Sequence, residues 1–199
     1  MKKVLIAGLA GGLVVFFWGA ISWMLLPFHN MTMKQMPNED AVAEVMRANL
    51  TESGVYTYPG TNHAEVVSGA MTEEQAMSKM VEKAKRGPNM PVFVYYPEGI
   101  DLWDPKFFLA GFVLCVLSAT LLAFTLTATH TSFPTAGAKT LLAFVLAGFV
   151  SLTSHLESWN WLMFPSDFTA AAILDELVGW GLAGLLIAKL VTPKHSTNA

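Results

Sequence analysis

Four long apolar blocks constrain the fold of this chain more strongly than any other feature. Of its 199 residues, 53% are hydrophobic and 14% are charged, whereas charged residues make up about 25% of an ordinary soluble domain. A helix needs about 20 apolar residues to span a bilayer. The blocks therefore predict an α-helical membrane protein, a four-transmembrane-helix bundle in contact with the lipid bilayer, with spans at residues 4–26, 106–129, 138–157 and 168–191.

The basic residues beside these spans predict how the bundle lies in the membrane. Lys and Arg close to span ends favour the cytoplasmic side, and most of them lie on the side of the two termini: Lys2, Lys3, Lys139, Lys189 and Lys194. We therefore expect both termini in the cytoplasm and residues 27–105 outside it. The alternative for the first block is a cleaved signal peptide ending at Ala20-Ile21-Ser22. An uncleaved anchor is favoured because the apolar run is longer than the usual signal core of about 7–15 residues.

Residues 27–105 predict a small extracytoplasmic α/β domain between the first and second spans. The apolar spacing indicates two helices, one beginning after Asn38 and one at Thr72, which opens a capping-box sequence. Each helix is followed by a β-rich run that ends in a Pro/Gly turn, at residues 55–60 and 92–99. The order strand, helix, strand favours a parallel pair with a right-handed crossover. Because two strands and two helices make a marginal core, we expect this domain to pack against a partner, another copy or the membrane surface.

Ionisable side chains within or beside the last two spans are the strongest indication of a site. Such groups in a bilayer usually face a protein interior or a water-filled cavity. Small residues at helical spacing place His155 and Asp175 on the packing faces of their helices. Polar residues at the same end of the bundle predict one cavity open to the extracytoplasmic side, formed by His155, Glu157, Asp175, Glu176, His29 and Asp104.

Three roles fit these polar residues. They could form interhelical hydrogen bonds and a charge pair that fix the bundle, or a small-molecule, lipid or proton site in a complex or transporter. They could also form a catalytic centre, with a general acid/base pair or a divalent metal held by imidazole and carboxylates. The sequence predicts no cofactor outright, since His155-x-Glu157 is not a recognised metal spacing.

A second candidate metal site follows the first span. Imidazole and thioether groups are ligands suited to Cu(I), and they cluster at His29, Met31, Met33 and Met36. The alternative is that these methionines rest in the headgroup region, because the chain contains 11 methionines and this is its one Met/His cluster.

Glycines predict which helix faces pack closely. Membrane helices associate where small residues let their backbones approach. Five glycines have this role in our interpretation: Gly8, Gly12, Gly19, Gly148 and Gly179.

Two stretches resemble a group of bacterial four-span inner-membrane proteins that has no assigned activity. The first is residues 18–29, which contain Ser22-Trp23-Met24-x-Leu26-Pro27-x-His29; the second is Trp159-Asn160-Trp161 followed by Phe164-Pro165, with Leu174-Asp175 and Gly179-Trp180 further on. The resemblance extends from end to end and implies the same architecture, in a bacterial inner membrane with residues 27–105 in the periplasm. It implies nothing about mechanism.

The sequence therefore predicts a non-enzymatic scaffold or accessory subunit that presents its periplasmic domain to a membrane complex. Other membrane-protein subunits, or further copies of the chain, are the expected partners. The net charge of −3 gives no reason to expect nucleic acid. The alternative function is a small transporter or membrane enzyme with a periplasm-facing His/carboxylate site.

Overall fold

The computed structural model describes residues 1–193 of the chain and divides into two compact units. The helical unit comprises Met1–Lys34 and the chain from Asp101 onward, and the α/β unit is Gln35–Ile100. The elements, in chain order, are α1 (Lys2–Met24), α2 (Phe28–Thr32), α3 (Glu39–Asn49), β1 (Gly54–Tyr58), α4 (His63–Val67), α5 (Glu73–Arg86), β2 (Met90–Tyr95), α6 (Pro105–Ala128), α7 (Ala136–Val150), a π-helical segment (Ser151–Leu156), α8 (Glu157–Trp161) and α9 (Ser166–Val191).

Four helices of the helical unit are long and apolar enough to cross a membrane, as the sequence predicts. They are α1, α6, α9 and the continuous helix Ala136–Trp161, which joins α7, the π-helical segment and α8. The third helix extends four residues beyond the predicted end at residue 157. It is long enough to span because the polar residues after Val150 continue the helix.

Helices α1 and α6 pack antiparallel through glycines of α1. A Cβ built on Gly8 would lie 2.8 Å from the Thr120 Cα, and one built on Gly12 would lie 2.6 Å from the Val116 Cα. These distances are too short for any side chain, so the two backbones approach closely only because both positions are glycine. The next contact in the same register is an edge-to-face pair of the Phe16 and Phe112 rings, with centroids 5.5 Å apart.

In contrast with the prediction, Gly19 and Gly148 make no close helix contact. Among residues 1–193, no neighbouring atom lies within 4 Å of the position where each Cβ would be. Gly19 shares the helical phase of Gly8 and Gly12, but it follows the Phe16 and Phe112 rings, whose bulk separates α1 from α6 at this level. Helical phase alone therefore does not decide whether a glycine packs.

Helix α9 packs against both α1 and α7. The ring of Phe144 covers Gly181, the methyl group of Ala143 covers Gly184, and Ile187 lies over Gly11. Helices α6 and α7, which are consecutive along the chain, contact each other much less. The apolar core lies at the end of the bundle where α1 begins and α9 ends, and its fully buried members include Ala7, Leu126, Ile187 and Ala188.

A buried lysine closes the end of α6. Lys139 in the first turn of α7 is fully buried, and its Nζ donates a hydrogen bond to the Leu126 carbonyl. This carbonyl is among the last four of α6, and the last four carbonyls of a regular helix receive no hydrogen bond from a backbone N–H of the same helix. A cation there also compensates the negative end of the helix dipole. The sequence identified Lys139 only as a flanking charge.

In the α/β unit the two strands pair antiparallel, which corrects the predicted parallel pair. Their side chains alternate between more and less exposed positions, a pattern that suits an antiparallel pair with one solvated face. The connection of 31 residues between Tyr58 and Met90 is long enough to return the chain in either direction. It also contains a short helix, α4, capped by Asn62, which is not among the helices predicted from the sequence.

The capping box at the start of α5 is confirmed. The Gln75 backbone N–H donates to the Thr72 hydroxyl at 3.2 Å, and the Thr72 backbone N–H donates to the Gln75 side chain at 3.0 Å. Both interactions are local, which is why sequence spacing alone identifies them.

Candidate functional site

Asp175 lies at the centre of a polar contact between three helices. The Trp18 indole Nε1 of α1 donates to the Asp175 Oδ1 at 2.6 Å, and the His29 Nε2 of α2 lies 3.5 Å from the Asp175 Oδ2. The His29 side chain is 2% exposed and its ring stacks on Trp23 at a centroid distance of 3.9 Å. Each carboxylate oxygen thus faces a different element. We call Trp18, Trp23, His29 and Asp175 the Asp175 cluster.

The turn after α1 brings His29 back to the bundle. Pro27 lacks a backbone N–H and cannot continue the α1 hydrogen-bond ladder, and α2 begins directly after it at Phe28. This reversal places the His29 ring between Trp23 and Asp175. On α9, Gly179 lies one turn from Asp175 and leaves room for the Trp18 ring, since a Cβ there would be 2.8 Å from the Trp18 Cδ1.

A second imidazole–carboxylate pair lies on another face of α9. The His155 Nε2 is 4.0 Å from the Glu176 Oε2, and the two side chains are 28% and 21% exposed. This distance is too long for a hydrogen bond. His155 belongs to the π-helical segment, and such wide turns occur frequently at functional sites.

Glu176 also lines an apolar groove of about 340 Å³ between α6, α7 and α9. The groove exists because α6 and α7 scarcely contact each other. Its walls are Ser118, Leu122, Ala143, Leu146, Ala147, Val150 and Trp180. We call it the Glu176 groove.

The structure places the six predicted cavity residues in separate locations rather than in one cavity. Asp175 pairs with His29, and Glu176 pairs with His155. Consecutive residues of a helix point about 100° apart, so the two neighbouring carboxylates of α9 face different helices.

The remaining two predicted cavity residues lie apart from both pairs. Asp104 accepts a hydrogen bond from the Lys106 backbone N–H at 2.9 Å and so caps its own helix, α6. Glu157 lines a shallow depression with Thr153, Ser154 and Trp161. Across residues 1–193, no three His, Cys, Asp or Glu side chains lie close enough together to hold a metal ion.

The residues of the candidate copper site are divided between buried and exposed positions. The His29 imidazole faces Trp23 and Asp175, whereas the Met31 side chain is 77% exposed and Met33 is also exposed. Met36 is exposed and belongs to the α/β unit.

Trp18 and Trp23, which complete the Asp175 cluster, are not among the site residues predicted from the sequence. Their signal is present in the sequence, since a Trp within a span carries an N–H donor that needs an acceptor when it is buried. The acceptor, however, is 157 positions away along the chain. Trp180, which lines the Glu176 groove, appears in the sequence-based predictions only as part of the Gly179-Trp180 motif.

The fold and these two pairs define a small helical protein of the membrane-spanning class, in which imidazoles and carboxylates meet across helices. No protein-family model, curated protein or solved structure matches the chain.

Proposed function

We propose that this protein is a non-enzymatic scaffold or accessory subunit of a complex in the bacterial inner membrane. Both termini are cytoplasmic, and the α/β unit is periplasmic and is presented to the other subunits. The placement of basic residues supports this orientation, and the resemblance of residues 18–29 and of the Trp159-Asn160-Trp161 motif supports the location.

The observation that carries the proposal is the Asp175 cluster. In it, the His29 ring of α2, the last helix before the α/β unit begins at Gln35, lies within ion-pair distance of Asp175 on α9. The Asp175 carboxylate has one oxygen on the Trp18 indole and the other facing the buried His29 ring. The Asp175 side chain is 19% exposed, and a carboxylate whose two oxygens face side chains of its own protein suits a structural tie better than a substrate site, which needs an accessible surface.

The α/β unit supports the accessory role because it contains little core of its own. Ala76 is its single buried hydrophobic residue among those described. The apolar side chains of Val55 and Val94, partners across the strand pair, are both more than half exposed. An isolated two-stranded sheet is marginally stable in water, so a unit of this kind gains stability from a partner.

Quantitative co-purification in mild detergent tests the role. We expect other membrane subunits in fixed stoichiometry with the wild-type protein, and their loss when residues 35–100 are replaced by a flexible linker. Asp175→Asn keeps the shape but weakens the tie to α2, so it should lower the yield of those subunits. A protein that purifies alone and unchanged in all three forms would refute the accessory role.

The orientation is tested with single cysteines. In a Cys115→Ala background, Ser78→Cys places a thiol on α5 and Thr131→Cys places one between α6 and α7. A membrane-impermeant maleimide should label the first in intact cells and the second only after lysis. The reverse pattern would place the α/β unit in the cytoplasm.

A further inference from the structure

Glu176 is an ionisable residue of α9 that does not belong to the Asp175 cluster. Within the described residues its carboxylate accepts no hydrogen bond from a side chain, and its nearest cationic group is the His155 imidazole at 4.0 Å. An ionisable group inside a membrane helix normally pairs with a partner or lines a pathway. A hydrogen-bond donor to this carboxylate would therefore come from a molecule bound in the Glu176 groove.

The depth of Glu176 limits what can bind there. It lies ten residues after Ser166, where α9 begins, and a rise of 1.5 Å per residue puts it about 15 Å along the helix. The hydrocarbon core of a bilayer is about 30 Å thick, so the carboxylate lies near its middle. A phospholipid headgroup stays at the membrane surface and does not reach this level. The occupant must carry its polar group within the apolar part of the membrane.

The residues that line the groove indicate the chemistry of the remaining, non-polar part of the bound molecule. Leu122, Leu146 and Val150 offer apolar surface, and the Trp180 ring offers a flat face for another ring. Ser118 and the small residue Ala147 widen the space between α6 and α7. The volume of about 340 Å³ is in the range of small-molecule sites, roughly 300–1,000 Å³.

We propose that the Glu176 groove binds a lipid-soluble phenol or quinol, a flat hydroxyl-bearing ring with an apolar tail, whose hydroxyl donates a hydrogen bond to Glu176. The ring lies against Trp180, and the tail leaves between α6 and α7 into the lipid. His155 stays within ion-pair distance of the carboxylate. This ligand site is separate from the accessory role and does not depend on it.

A matched pair of probes tests the hydrogen bond directly. The full chain in mild detergent is titrated with 4-decylphenol and with 4-decylanisole, in which a methyl group replaces the hydroxyl hydrogen, and bound molecules are counted by native mass spectrometry. We expect one phenol per protein and binding of the anisole at least about tenfold weaker, equivalent to about 1.4 kcal/mol. Equal binding of the two probes would mean that an apolar chain alone fills the groove. If neither 4-decylphenol nor 4-decylanisole binds, the groove would instead be filled by a helix of a partner protein. Both results would overturn the proposal.

Two further variants locate the site. Ser118→Phe fills the groove from α6, where Ser118 is exposed, and should abolish phenol binding; Leu117→Phe adds the same bulk at a neighbouring lipid-facing position and should leave it unchanged. Glu176→Leu should remove the difference between phenol and anisole. Phenol binding that survives Ser118→Phe would place the ligand elsewhere and refute the assignment.

Discussion

Replacing Gly179 by alanine should weaken the hydrogen bonds between Trp18 and Asp175 without changing either residue. The added Cβ would lie 2.8 Å from the Trp18 Cδ1 and 3.4 Å from its Nε1. Ordinary van der Waals contact begins near 3.4 Å, so the ring must move by about 0.6 Å, the difference between 3.4 and 2.8. The Trp18 Nε1 is also bonded to α9, at 2.6 Å from the Asp175 Oδ1 and 3.2 Å from the Asp175 carbonyl oxygen. Moving the ring away from α9 by about 0.6 Å lengthens the first bond to at most about 3.2 Å, the upper limit of a normal N–H···O bond, and lengthens the second beyond that limit.

The cost of this change has two parts. Overpacking a filled site typically destabilises a protein by about 1–3 kcal/mol, and weakening a membrane-embedded hydrogen bond costs about 0.6–2 kcal/mol. The gain in helix propensity from glycine to alanine returns up to about 1 kcal/mol. These contributions add to a net loss of about 0.6–5 kcal/mol. Gly148→Ala is the control, since its Cβ would meet no neighbouring atom within 4 Å, and it should be neutral or slightly stabilising.

The assay is reversible unfolding in mixed micelles, followed by the loss of helical circular dichroism, within a double-mutant cycle. In a Trp18→Ala background the clash and the hydrogen bond are both absent, so Gly179→Ala should cost less than about 0.5 kcal/mol. Neighbouring residues that interact give coupling energies of about 0.5–3 kcal/mol. Additive effects of the two substitutions, or a Gly179→Ala variant as stable as the Gly148→Ala control, would refute this account of the Asp175 cluster.

Three other predictions concern packing and capping elsewhere. Gly12→Ala should destabilise the bundle by about 1–3 kcal/mol because its Cβ meets the α6 backbone, whereas Gly19→Ala, with open space beside it, should not; the same unfolding assay compares them. Lys139→Ala should lower stability by about 1–3 kcal/mol, since it leaves the buried Leu126 carbonyl without its donor, and a stability equal to wild type would contradict the capping role. Thr72→Ala removes the hydroxyl of the capping box and should cost the α/β unit about 0.5–2 kcal/mol, measured as faster amide hydrogen exchange in α5 but not in α6.

The features that the sequence predicts well are set by length or by local spacing. The four apolar helices follow from the number of consecutive apolar residues, and the start of α5 follows from Thr72 and Gln75 three positions apart. For Asp175, the sequence predicts that the residue lies on the packing face of its helix, because helical phase is also set by local spacing. Its partner His29 could be assigned only to the same end of the bundle, since the chain between them includes two complete spans.

Features that depend on tertiary register could not be predicted from the same patterns. Gly12 and Gly19 have the same local signature, yet only Gly12 meets α6, because the Phe16 and Phe112 rings separate the helices beyond it. The direction of strand pairing likewise depends on how the 31 residues between β1 and β2 return. The π-helical segment is more polar than α7 before it, but this difference in composition does not distinguish a π turn from an α turn.

Asp175 and Glu176 show how one turn of helix can hold two carboxylates with different roles. A rotation of about 100° between consecutive residues points Asp175 at α1 and α2 and Glu176 toward α6, α7 and His155. The first carboxylate already has a donor at 2.6 Å, so its removal leaves Trp18 with only the longer bond to the Asp175 carbonyl oxygen and takes away the acidic group that faces the buried His29. We expect this loss to appear as instability. The second accepts no side-chain hydrogen bond in the described part of the chain, so its removal takes no acceptor from a side chain there. Substitution of Glu176 should therefore spare the bundle and affect only what enters the groove, and the two neighbouring positions can be separated by experiment.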